Sequence, residues 1–185
     1  MSEPFRSRTF HPVAPQSRPH RRRRAARVVI ICDATVLLLA DTDPGLPGTR
    51  WWVTPGGGID AGESATQAAV RELMEETGVQ VQPGDLLGPV AIREVVHGYS
   101  DQVLTQVEEF FVLKLAQRFE PTQDGFTADE QVTLDGWAWL PLAELALQPH
   151  PVWPANLVEL AELADQAHQW PRELGVIEES TLPVE

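Results

Sequence analysis

The chain has 185 residues, 43% of them hydrophobic, which suits one domain with a well-buried core and is short for two. The formal net charge is −13, yet eight of the 14 basic residues (Arg6, Arg8, Arg18, Arg21, Arg22, Arg23, Arg24 and Arg27) fall within residues 1–27 beside a single acid, Glu3. The strongly acidic body that follows excludes broad electrostatic attraction to nucleic acid or an anionic membrane, and no apolar stretch reaches the roughly 18 residues that cross a bilayer.

Residues 1–25, with Pro4, Pro12, Pro15 and Pro19 among arginines and no apolar periodicity, predict a flexible arm. The Arg21–Arg24 run invites a nucleic-acid reading, but one short basic run specifies little, and a solvated tail that merely precedes the first strand is the favoured reading. Ala26–Cys32 and Thr35–Ala40 read as a buried hairpin. The lone Cys32 lies in the run VVIIC as a small buried hydrophobe, and a single cysteine excludes an intramolecular disulfide or a multi-cysteine zinc site. A Pro/Gly-rich loop, residues 41–49, leads to a short strand over 50–53 with Trp51 and Trp52, of which one can be core while the other lines a pocket. Gly56, Gly57 and Gly58 follow. Three glycines forfeit side-chain packing and make sense where the backbone must turn tightly or approach a ligand.

The next helix is well marked. Ser64 and Gln67 form a capping box, Gly78 is a C′ glycine, and Ala65, Ala69 and Leu73 make an apolar stripe. Leu86–Val96 and Val103–Leu115 are two longer strands, and 118–127 is a loop. Asp129 and Glu130 approach a strand over Gly136–Leu140. Pro141 opens a short helix over Leu142–Leu147, a proline-punctuated linker follows, and Ala155–Gln169 is an amphipathic helix. After Pro171 the chain reads as a loosely held acidic tail. The expected organisation is an arm (1–25), one domain (26–170) and a tail (171–185), without internal repeats.

Glu72, Glu75 and Glu76 stand at helical spacings of three and four, which crowds carboxylates onto one side of a helix. A solvated face would account for them, and so would a hard divalent cation, Mg²⁺ or Mn²⁺, that takes oxygen ligands. An acidic protein acting on a phosphate compound needs such a cation.

The full pattern is Gly57, five residues, Glu63, seven residues, then Arg71-Glu72-Leu73-x-Glu75-Glu76-x-Gly78-Val79. It matches the Nudix box at every defined position, and the chain resembles a Nudix (MutT-like) hydrolase. The resemblance implies an α/β Nudix fold, a mixed curved β-sheet sandwiched between α-helices. It implies Glu72, Glu75, Glu76 and the Gly56 carbonyl as metal ligands, a Glu63–Arg71 ion pair tying loop to helix, and Gly57 and Gly78 as structural box positions. It implies Mg²⁺- or Mn²⁺-dependent hydrolysis of the diphosphate bond in a nucleoside di- or triphosphate linked to a further moiety. Glu75 and Glu76 would act in catalysis, with Glu75 the first candidate for the base, joined from outside the box by Glu130, with Glu109 and Glu108 as further candidates. Trp51, Trp52 and Tyr99 are weak candidates for substrate binding.

The implied partner is a small nucleoside diphosphate derivative, with nucleic acid and membrane disfavoured. The implied location is cytoplasmic, and a homodimer follows by analogy. Two other readings stay open: an RNA 5′-end pyrophosphohydrolase that uses the basic arm, and a non-catalytic nucleotide-binding regulatory module.

Overall fold

The computed structural model describes residues 8–184. At its centre is β1 (His20–Cys32), which runs parallel to β6 (Val103–Leu115) along its whole length, from His20 opposite Val103 to Cys32 opposite Leu115. The other edge of β1 is shared. Ala25–Arg27 pair with β4 (Gly56–Gly58), and Ile30–Cys32 pair with β2 (Thr35–Asp41) through a turn at Asp33. Two short partners on one edge make the sheet diverge there, and the gap between them is where a site can open.

Outward from β2 lie β7 (Leu134–Pro141) and β3 (Trp51–Val53), and β8 (Val152–Trp153) pairs with β3. Outward from β6 lie β5 (Leu87–Gly98) and then β9 (Arg172–Glu178). Parallel and antiparallel pairs are mixed.

Alternation along the central strands sends side chains to two cores. Val28, Ile30, Phe111 and Leu113 meet α1 (Ala65–Thr77) through Ala65, Ala68, Ala69 and Leu73. Val29, Phe110 and Val112 meet α3 (Leu157–Leu163) through Leu157, Leu160 and Leu163. The curved mixed sheet is thus covered by a helix on each face. The small alanines of α1 let it lie close to the strands, and its ends carry the expected Ser64–Gln67 box and a left-handed Gly78. Among the described residues no helix is long and apolar enough to cross a membrane.

Three sequence expectations are corrected. The expected flexible arm over 1–25 is part of the fold from Arg8 on; residues 1–7 lie outside the described residues. Val13 N–H donates to the Ser100 carbonyl, and the arginine run is the first half of β1. Its charges are tolerated because acidic neighbours face them: Arg22 Nη2 donates to Glu94 at 2.6 Å, and Arg24 pairs with Glu109. The expected loose tail, 171–185, contains β9, beyond which Glu179 is buried. The expected helix over Ala155–Gln169 is α3 and a separate 3₁₀ turn, Ala167–Gln169.

Candidate active site

The site is built where β4 leaves β1 beside the second and third turns of α1. Glu72 and Glu76, four residues apart, project from the same side of α1 and are both buried. The third member comes from α2 (Glu130–Thr133), a single turn opened by a Thr127 amide donating to Glu130 Oε2 at 2.7 Å. Among the described residues, Glu72, Glu76 and Glu130 bring one carboxylate oxygen each within 4.8 Å of one another.

The glycines make room for this. A Cβ on Gly57 would sit 2.7 Å from the Glu72 carboxylate, and one on Gly56 would sit 2.2 Å from the Ala26 carbonyl oxygen, at a φ of +135°. Gly56 N–H donates to Glu76 Oε2 at 2.7 Å, and Arg27 Nη1 donates to the Gly56 carbonyl at 2.8 Å. The glycine run therefore lets backbone, carboxylate and guanidinium meet at one point.

Burial raises the pKa of Glu72, with Arg71 opposing. It raises Glu76 well above the ordinary range, and the Glu72 charge adds to that. A pair of buried like charges held together this way is suited to an added cation, and an all-carboxylate donor set suits a hard one such as Mg²⁺ or Mn²⁺.

Of the other sequence candidates, Glu63 and Arg71 meet as a fork: Arg71 Nε reaches Glu63 Oε1 at 3.0 Å and Nη2 reaches Oε2 at 2.9 Å. Arg71 also donates to Glu72 at 2.6 Å, to Glu75 at 3.2 Å and to the Gly58 carbonyl at 2.9 Å. Glu75 lies outside the three-carboxylate cluster, because one residue of rotation from Glu76 turns it toward Arg71 one turn back.

Glu108 is fully buried between Arg27 and Arg93, 3.2 Å from the first and 2.8 Å from the second. Burial alone would raise its pKa, but the two guanidiniums hold it below the ordinary value. Glu109 faces the opposite side of β6 and pairs with Arg24. Trp51 is core, packed on Trp153 with ring centroids 4.9 Å apart, and Trp52 packs against the α3-side core. Neither lines the cavity beside the carboxylates, whereas Tyr99 does.

That cavity holds about 170 Å³. Its wall includes arginines that the sequence reading did not single out for the site, Arg8, Arg23 and Arg27, together with Asp41. Strand alternation is the signal that separates them: Arg23 and Arg27 share one face of β1, whereas Arg22 and Arg24 point to the other. Behind the cavity a chain of charges runs from Arg27 through Glu108 and Arg93 to Glu179, which takes both Arg93 terminal nitrogens, at 2.9 and 2.7 Å.

The chain matches the family model of the NUDIX domain over residues 21–161, and it belongs to that family, the Nudix hydrolases. It is 33% identical over 102 residues to an RNA pyrophosphohydrolase of Psychrobacter arcticus, an alignment that spans 50% of this chain and 57% of that protein. It is 32% identical over 126 residues to the RNA pyrophosphohydrolase of Psychrobacter cryohalolentis, spanning 61% of this chain and 71% of that one. In fold it is similar to the crystal structure of a MutT protein from Bacillus halodurans, with a TM-score of 0.55 at 20% identity, covering 86% of this chain and 91% of the other.

Proposed function

We propose that the protein is a Mg²⁺- or Mn²⁺-dependent pyrophosphohydrolase that cleaves the diphosphate bond of a nucleoside di- or triphosphate linked to a further moiety. The observation that carries this reading is the meeting of Glu72, Glu76 and Glu130 within 4.8 Å beside the Gly56–Gly58 backbone. These three would hold the cation. A divalent cation supplies positive charge opposite phosphate oxygens and makes a water easier to deprotonate.

The chain's own residues do the rest. Arg23 and Arg27 set positive charge along the cavity wall for further phosphate oxygens. Arg71 fixes Glu72 against the loop through Glu63 and the Gly58 carbonyl. Arg27 and Glu76 hold the carbonyl and amide of Gly56, so the backbone beside the cluster keeps its orientation. Glu75 is assigned to Arg71 rather than to the cation.

The test is turnover across a panel of dNTPs, oxidised dNTPs, ADP-ribose, nucleotide sugars and dinucleoside polyphosphates, with Mg²⁺ and with Mn²⁺. Wild-type protein should release phosphate or nucleoside monophosphate from at least one, and Glu76→Gln should not. Full activity in Glu76→Gln would overturn the site assignment.

The names of the Psychrobacter relatives favour a second reading, in which the same site acts on the 5′ end of RNA. In that case the Arg21–Arg24 run is not a free arm that holds the strand, because it is the first half of β1, with Arg22 and Arg24 paired at the surface with Glu94 and Glu109. Deleting residues 1–25 would cut away half of β1 and could not separate the readings. A 5′-triphosphorylated oligonucleotide compared with its free mononucleotide does separate them.

A further inference from the structure

One wall of the cavity is made by residues that precede the family-matched segment 21–161. Arg8 and Phe10 reach into it from the N-terminal segment. The Arg8 guanidinium lies over two aromatic rings, 4.7 Å from the Phe10 centroid and 4.5 Å from the Tyr99 centroid. It is held there by Asp101, with Nε at 3.3 Å and Nη2 at 2.5 Å, while the Arg8 amide donates to Asp129 at 3.1 Å. Asp101 lies in the turn between β5 and β6, and Asp129 stands next to Glu130. Arg8 therefore straps the cavity from its aromatic end to its carboxylate end.

Two further observations concern the same place. Phe10 has a φ of +51°, in the left-handed region that a bulky aromatic residue rarely adopts, so backbone strain is spent on keeping its ring in this position. The cavity, at about 170 Å³, is also smaller than the roughly 300 Å³ at which small-molecule sites begin. A flat ring that stacks on Phe10 and Tyr99 must displace the guanidinium that lies over both. The planar, positively charged group lying on two ring faces is the one whose shape an incoming flat ring would replace.

We propose that Phe10 and Tyr99 are the base-recognition residues of this site, and that Arg8 is a placeholder which a heteroaromatic base displaces from the two rings. This rests on the pyrophosphohydrolase reading for its substrate and adds the selecting group: the ring on the phosphate chain, read by Tyr99 together with Phe10 from a segment that precedes the family-matched residues. When the base is in place, the guanidinium keeps its Asp101 partner and swings off the rings.

The two parts of the proposal predict opposite signs, which makes it testable. Binding of non-hydrolysable methylene analogues of ATP and GTP, and of inorganic tripolyphosphate, is measured by calorimetry with Mg²⁺. The quantity read is the ratio of nucleotide to tripolyphosphate affinity. Phe10→Leu should lower that ratio about tenfold, the scale of one base–aromatic stack. Arg8→Ala should raise it, because the placeholder is gone. Arg8→Lys, which keeps a charge beside buried Asp101 but lacks the planar fork, should shift it the same way by less and guards against a folding defect.

If Arg8→Ala lowers the ratio, Arg8 is a substrate contact and the proposal falls. If neither variant moves the ratio, or wild type does not prefer the nucleotides, the rings do not read a base and the proposal also falls. Because binding is read without turnover, a protein that hydrolyses nothing while showing the opposite signs would sink the pyrophosphohydrolase reading and leave the ring assignment standing.

Discussion

Glu72 and Glu76 are one helical turn apart, and their carboxylates share a small buried space with Glu130. Glu76→Gln removes one charge from that space. Mg²⁺-dependent turnover should fall more than about 100-fold, the upper end of what is lost when only a ligand's outer partner is removed. The metal-free melting temperature should hold or rise, since a like-charge contact is relieved. Glu75→Gln should be milder because Glu75 lies outside the three-carboxylate cluster, beside Arg71; an equal loss in both variants would place Glu75 in the cluster's work.

Asp41, on the cavity wall, gives a pH test. Burial lifts its carboxyl from 3.8 to about 7, with the Thr42 amide only partly opposing. Below about pH 4 the group is neutral in both the folded and the unfolded chain and makes no difference to stability. Between pH 4 and 7 the unfolded chain gives up the proton while the folded one keeps it, so stability drops across that window and levels off above it. Asp41→Asn should therefore stabilise by an increment that grows from pH 4 to 7 and is then constant, seen as about 2–4 °C in Tm per kcal/mol. A pH-independent increment would refute the assignment.

At the scale of elements, the segment after Pro171 is held by the pairing of β9 with β5 and, beyond the strand, by one buried side chain, Glu179. Glu179 takes both terminal nitrogens of Arg93 and the Ala155 amide, and its carbonyl accepts from His97 Nδ1 at 2.6 Å, so the proton sits on that nitrogen. Glu179→Ala strips a partner from a buried guanidinium and should cost about 3–5 kcal/mol, measured by urea unfolding. A loss below 1 kcal/mol would mean that water reaches Arg93.

That segment was not legible in the sequence. β9 is an exposed edge strand without hydrophobic alternation, and its anchor is a glutamate in an acidic stretch. The first half of β1 was hidden for a related reason: an arginine run reads as solvated until acids on β5 and β6 are seen opposite it. α1 was legible because its cap, stripe and C′ glycine are all local. The cluster was half legible. Glu72, Glu76 and Glu130 were named from the chain, but which of three neighbouring glutamates turns away from the others depends on where Arg71 and Gly57 sit. Nothing local told Trp51 and Trp52, which pack into the cores, from Tyr99, which faces the cavity.

For the molecule as a whole, the net charge of −13 and the pairing of Arg22 and Arg24 leave little cationic surface for a nucleic-acid strand. If RNA ends are bound, log affinity against log salt should fall with a slope no steeper than about −2, corresponding to two or three phosphate contacts. A slope near −5 would show that the β1 arginines leave their acidic partners for RNA. The ladder between β1 and β6 has a consequence of another kind. It joins residues 83 apart, as in the Arg23–Gln106 bond. A chain emerging from its N-terminus first makes the apolar half of β1 long before the strand that will cover its whole edge. β2 and β4 can occupy only the opposite edge in the meantime. Contacts this distant in sequence form slowly, and an uncovered edge rich in valine and isoleucine is what a chaperone, or a second unfinished copy, would grip first.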